Sequence, residues 1–136
     1  MPPLSAWIVR VSLLSLGVGF SLGAWMLTAK AVPFDLMYRR LLAPHIELLL
    51  FGWMLQLAVG VALWILPRFE HPPKYGRIRL AWAGFFLLNI GIGCVVIGSY
   101  VGGPSHPLAL AGHFAELVAV VLFVIFLWPR VKPFMG

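Results

Sequence analysis

Charge is scarce in this sequence. Only 10% of its 136 residues are charged, where a typical soluble domain carries about 25%. Acidic side chains are scarcest: Asp35, Glu47, Glu70 and Glu116 are the full complement. That is too little polarity to cover a water-soluble surface, so a soluble globular protein is excluded. Cysteine is nearly absent as well. Cys94 stands alone, which rules out a disulfide within the chain and a cysteine-based metal cluster. Inside an apolar run it is expected to act as a small buried hydrophobe. The sequence has no phosphate-cradling glycine motif, no low-complexity tract, no short repeat and no residue set for a soluble catalytic triad.

What fills the chain is apolar: 62% of the residues are hydrophobic. Four segments approach or exceed the roughly 20 apolar residues that span a hydrocarbon core. The expected architecture is all-α, an integral membrane four-helix bundle forming one domain over residues 1–136. The predicted helices cover about 4–28, 44–66, 78–100 and 107–128. The first run is longer than the core of a signal peptide and is expected to remain as a transmembrane helix. Its Gly17, Gly19 and Gly23, like Gly84, Gly91, Gly93 and Gly98 of the third helix, are small positions where another helix comes close.

Prolines punctuate the pattern. Pro44 suits a first helical position, where its missing N–H costs nothing. Pro67 and Pro129 end the second and fourth helices. The first connection, carrying Lys30, Asp35, Arg39 and Arg40 among Phe34, Leu36 and Tyr38, is expected to lie in the membrane interface. The second, PRFEHPPKYGRIR, is basic and proline-rich.

The net charge of +6 belongs to helix ends and not to a nucleic-acid-binding face. Arg10, Arg68, Lys74, Arg77, Arg79, Arg130 and Lys132 fall on one side, and Lys30, Arg39 and Arg40 on the other. The positive-inside rule puts the richer side in the cytoplasm, with both termini, in the inner (plasma) membrane of the cell. Trp25 and Trp128 sit near helix ends, where aromatic belts form.

Four histidines are present. His71 lies in the cytoplasmic loop and reads as a solvated loop residue. His106, beside Pro107, reads as a cap of the fourth helix; Ser105 is the alternative cap. His45 and His113 lie in the outward half of the membrane. An ionisable residue inside a spanning helix is a functional candidate by default. At about 100° per residue, His45 shares a stripe with Leu49, Gly52, Gln56, Val59 and Leu63. Gly52 is expected to leave a gap into which a flat macrocycle fits. Glu47 is rotated away from His45 by about 200° and faces another helix or subunit. Glu116, one turn from His113, is placed to orient that imidazole or to carry a proton. Neutral imidazole nitrogens suit a b-type haem, with Arg39 and Arg40 near its propionates. Copper held by histidines suits the same residues. Both histidines also have plainer readings, as interfacial or interhelical hydrogen-bonding residues.

The run from His45 to Arg68, HIELLLFGWMLQLAVGVALWILPR, resembles the second transmembrane helix of the haem-copper oxidase catalytic subunit, nitric oxide reductases included. In that family a histidine near the outer face, followed by a Gly/Trp-containing apolar run and a Leu-Pro-Arg-like stop, ligates the low-spin haem. The resemblance implies that His45 is an axial ligand, and that the chain is like one of the family's three four-helix groups standing alone. It also implies a homo-oligomer, dimer or trimer, and a redox partner. The second axial ligand is then His113 of the same chain or a histidine of a neighbouring copy. No His–His pair or His–Tyr spacing for the family's copper site is present, so the resemblance does not extend to oxygen reduction. The expected role is electron transfer or haem and gas binding. The alternatives are a structural or assembly subunit of a respiratory complex and a small copper-handling membrane protein.

Overall fold

The computed structural model describes residues 1–31 and 38–131. Every regular element among the described residues is helical. α1 spans Pro3–Ala31. α2 is one continuous rod in three stretches: α-helical over Tyr38–Glu47, π-helical over Leu48–Leu55 and α-helical again over Gln56–Ile65. α3 spans Ile78–Gly102 and α4 spans Pro107–Leu127, followed by a 3₁₀ turn, Trp128–Arg130. All four helices are long and apolar enough to cross a membrane. The chain is an all-α, multi-pass membrane protein.

One expected boundary is wrong. α2 begins at Tyr38, so Pro44 lies inside it and not at its first position. The missing Pro44 N–H removes one bond near the helix start, a defect that spanning helices tolerate. Arg39 and Arg40 therefore belong to the first turn of α2 and not to a loop. Residues 32–37, including Asp35, Phe34 and Leu36, lie outside the described residues, as do residues 132–136.

The helices pair before they bundle. α1 rests mainly on α2, α4 rests mainly on α3, and α2 meets α3 to join the pairs. Among the described residues no Cα atom of α1 comes within 8 Å of one in α4. Missing side chains set the distance within each pair. A Cβ added at Gly112 of α4 would lie 2.6 Å from the Gly91 carbonyl of α3, and one at Gly98 would lie 2.5 Å from the Ala109 nitrogen. In the other pair, Gly60 of α2 leaves space for Ile8 of α1, and the Ser5 hydroxyl donates to the Gly60 carbonyl at 2.6 Å. In a lipid solvent that is itself apolar, such close backbone packing and interhelical hydrogen bonds replace the hydrophobic effect as the source of helix association.

The shared core lies toward the end holding the termini. Leu4 and Ile8 of α1, Leu63 of α2, Phe85 and Leu88 of α3, and Phe123 of α4 meet there. Arg130 closes this end. Only 1% of its surface is exposed. Its Nε donates to the Pro67 carbonyl at 3.1 Å, and Nη2 donates to Leu63 and Leu66 carbonyls at 3.0 and 2.7 Å. Leu63 and the C-cap Leu66 offer carbonyls that a helix C-terminus leaves without partners, and Pro67 lies just past it, so Arg130 caps α2 from the end of α4. Trp25 and Trp128 are exposed near helix ends, as an aromatic belt requires.

Candidate functional site

The half of the molecule away from the termini gathers Glu47 of α2 with His113 and Glu116 of α4. One ligand-type atom from each lies within 4.8 Å of the other two. His113 and Glu116 are one helical turn apart on α4, a spacing that puts them on one face, and His113 Nδ1 lies 3.2 Å from Glu116 Oε2. Glu47 and Glu116 are both buried, and Oε1 of each has no hydrogen-bond partner among the described residues. The His113 side chain is 46% exposed. It lines a groove of about 340 Å³ with Phe51, Glu116, Leu117 and Val120.

The π-helical stretch of α2 begins at the residue after Glu47. A π-helix widens the turn, and such segments concentrate at functional sites. Its i→i+5 bonding also rotates everything that follows out of a regular α-helical register. Gln56, Val59 and Leu63, which regular periodicity places below His45, turn toward the bundle interior. The Gln56 amide reaches Asn89 Oδ1 of α3 at 3.5 Å, while Val59 and Leu63 join the shared core.

His45 looks the other way, toward α1. Its Nδ1–H donates to the Gly19 carbonyl at 2.7 Å. The ring sits where a side chain at position 23 would be: a Cβ on Gly23 would come within 2.7 Å of His45 Cε1. A carbonyl can only accept, so this bond puts the proton on Nδ1 and leaves the Nε2 lone pair available. The gap expected at Gly52 is filled. A Cβ there would lie 2.9 Å from the Ser15 Cβ of α1, so Gly52 serves a close helix contact and leaves no slot for a flat ring.

The structure therefore does not bring His45 and His113 to a common centre. His45 faces α1, His113 faces Glu47 and Glu116, and among the described residues no Cα atom of α1 lies within 8 Å of one in α4. Arg39 and Arg40 line a separate groove of about 300 Å³ together with Ile46, Ser99 and Pro104. His106 caps α4, its Nδ1 accepting from the Leu108 N–H at 3.3 Å. His71 is exposed in the second loop.

Glu47 was legible as pointing away from His45, but its partner was not. The usable signal was that the chain has only two acidic residues within its spanning helices, Glu47 and Glu116. Two such costly residues in one small bundle gain most by sharing a proton or a cation. No protein-family model, characterised protein or solved structure matches this chain.

Proposed function

We propose that this protein binds a b-type haem in the membrane and serves electron transfer or gas binding, with His45 as an axial ligand. The observation that supports this most is the His45–Gly19 hydrogen bond. Ligating histidines characteristically donate their second ring N–H to a carbonyl or carboxylate, which fixes the tautomer and leaves the other nitrogen for the metal. His45 has this arrangement at 2.7 Å, and it stands at the head of the segment that resembles a haem-ligating helix.

The donor fits haem iron, but the chain's own contacts leave no room for the macrocycle between His45 and His113. Ser15 fills the space at Gly52, and the two histidines face different helices. In this proposal the porphyrin would be held by His45 at the outer half of α2, and a neighbouring copy in a dimer or trimer would complete its pocket. Arg39 and Arg40 in the first turn of α2 supply positive charge for the propionates. Bound haem would supply one-electron chemistry or an open iron position for a gas. His45 holds the iron, and the apolar helix faces exclude water. The basic loop 2 and both termini face the cytoplasm across the plasma membrane.

The test is the optical spectrum of the detergent-purified protein, before and after adding haem. A Soret band is expected, and His45→Ala should abolish it. No Soret band under either condition, or a band unaffected by His45→Ala, overturns the proposal. Co-purification with a large respiratory complex, without haem in this chain, would favour the structural-subunit alternative.

A further inference from the structure

We infer that Glu47, Glu116 and His113 form a binding site for a divalent first-row transition-metal cation, distinct from the His45 site. Three observations converge on it. The three side chains come from two helices and place ligand atoms within 4.8 Å of one another. Both carboxyls are more than nine-tenths buried, with Glu47 6% and Glu116 2% exposed. Each also keeps an oxygen with no hydrogen-bond partner among the described residues.

Charge argues for a cation. Two neighbouring buried carboxylates repel and have lost their hydration, so both cannot be ionised unless something positive joins them. A shared proton relieves part of this. It bridges one oxygen of each carboxyl while His113 bonds Glu116 Oε2, and it leaves both Oε1 atoms without a partner among the described residues. A divalent cation balances both negative charges and draws on all three side chains.

Donor chemistry narrows the class. Calcium and magnesium prefer oxygen-only shells, and soft copper(I) prefers sulfur. One imidazole with two carboxylates suits manganese(II), iron(II) or zinc(II). The 3.2 Å between His113 Nδ1 and Glu116 Oε2 is close to the separation of two adjacent ligands, each about 2.1 Å from a common ion. A Glu47 carboxylate oxygen lies within 4.8 Å of a ligand atom on each of these two residues. Three protein ligands would leave coordination positions open, and two of the three, His113 and Glu116, line the groove walled by Phe51, Leu117 and Val120.

Manganese(II) is the probe, titrated into the full-length protein in nanodiscs and followed by electron paramagnetic resonance. One ion per chain is expected, displaceable by zinc(II). Glu47→Gln and Glu116→Gln keep the side-chain volume. Each should weaken binding on the order of 10–100-fold or more, since disturbing even an outer-shell partner costs that much. Helix content and a single elution peak establish that both variants fold. His45→Ala should leave manganese binding unchanged while removing haem, which separates this inference from the proposal above. The inference is overturned by the absence of saturable binding, or by binding that survives the Glu47→Gln/Glu116→Gln double variant. Loss of binding in His45→Ala overturns it too. So does a protonated-carboxyl infrared band that persists at saturating metal, which would mean the pair holds a proton instead.

Discussion

Removing the Arg130 side chain should loosen the end of the bundle that holds the termini. Its guanidinium makes three hydrogen bonds at the C-terminal end of α2, to the Leu66, Leu63 and Pro67 carbonyls at 2.7, 3.0 and 3.1 Å. It also lies 5.7 Å from the Phe126 ring centre and 5.8 Å from that of Tyr75. A hydrogen bond to a charged group contributes about 1.5–3 kcal/mol, so the three together set a gross ceiling of roughly 5–9 kcal/mol. Two effects lower it. Nη1 has no partner among the described residues, and burying a guanidinium carries a desolvation penalty of several kcal/mol. A net loss of about 2–4 kcal/mol is expected for Arg130→Ala, in the range measured when one partner of a buried charged contact is removed. Arg130→Lys keeps the charge but loses the planar fork that reaches three carbonyls at once, so it should recover only part of that loss. The measurement is reversible unfolding in mixed detergent micelles, followed by circular dichroism. A change under about 0.5 kcal/mol for Arg130→Ala, the size of an ordinary surface substitution, would refute the capping argument. Full recovery in Arg130→Lys would refute the part assigned to fork geometry.

Two further perturbations test the helix contacts. Gly112→Ala puts a methyl group 2.6 Å from the Gly91 carbonyl and 2.8 Å from the Val95 nitrogen. Backbone atoms cannot rotate aside, so α3 and α4 must separate, at a cost of about 1–3 kcal/mol in the same unfolding assay. Gly17→Ala is the control, because nothing lies within 4 Å of its added Cβ; equal effects at the two sites would sink the close-packing account. His106→Ala removes the side-chain cap of α4 and should cost about 0.5–1 kcal/mol. Amide exchange confined to the first turn of α4 should accelerate, and an unchanged Leu108 amide would show that the cap contributes nothing.

The four spanning helices and their approximate limits were legible because hydropathy reads directly against membrane thickness. The His106 cap was legible because Pro107 fixes a helix start locally. Each of these signals lies within a few residues of sequence. The start of α2 is not legible, because Pro44 suits a first helical position equally well, whereas a spanning helix can carry a proline inside its early turns. The face of His45 was legible only as far as Leu49 and Gly52. Beyond them the π-helical stretch breaks the regular 100° step, and no residue type in LLLFGWML announces it. The meeting of Glu47 with His113 and Glu116 depends on which helix α4 lies against, and helix-to-helix adjacency is not written in periodicity. Arg130 shows the same limit: its side chain counts correctly as a basic helix-end charge, yet its partners are carbonyls more than sixty positions earlier.

The glycines bear on how copies of this chain can associate. Small-residue faces mark close helix contacts without saying whether those contacts lie within a chain or between chains. Here they are mostly used inside it. Gly19 and Gly23 receive Leu49 and His45, Gly52 and Gly60 receive Ser15 and Ile8, and Gly84, Gly91 and Gly98 hold α4. Only Gly17 and Gly93 among the mid-helix glycines have nothing within 4 Å of an added Cβ. An oligomer that completes a haem pocket therefore cannot rest on a long glycine seam. It has to form through the exposed large side chains, such as Phe20 of α1 and Phe114 and Leu117 of α4. Those same faces meet lipid in a lone copy, so association would draw on shape fit and on the shared cofactor more than on hydrophobic gain. On this reasoning, haem removal should dissociate the oligomer, whereas metal removal from the Glu47–Glu116–His113 cluster should leave it assembled.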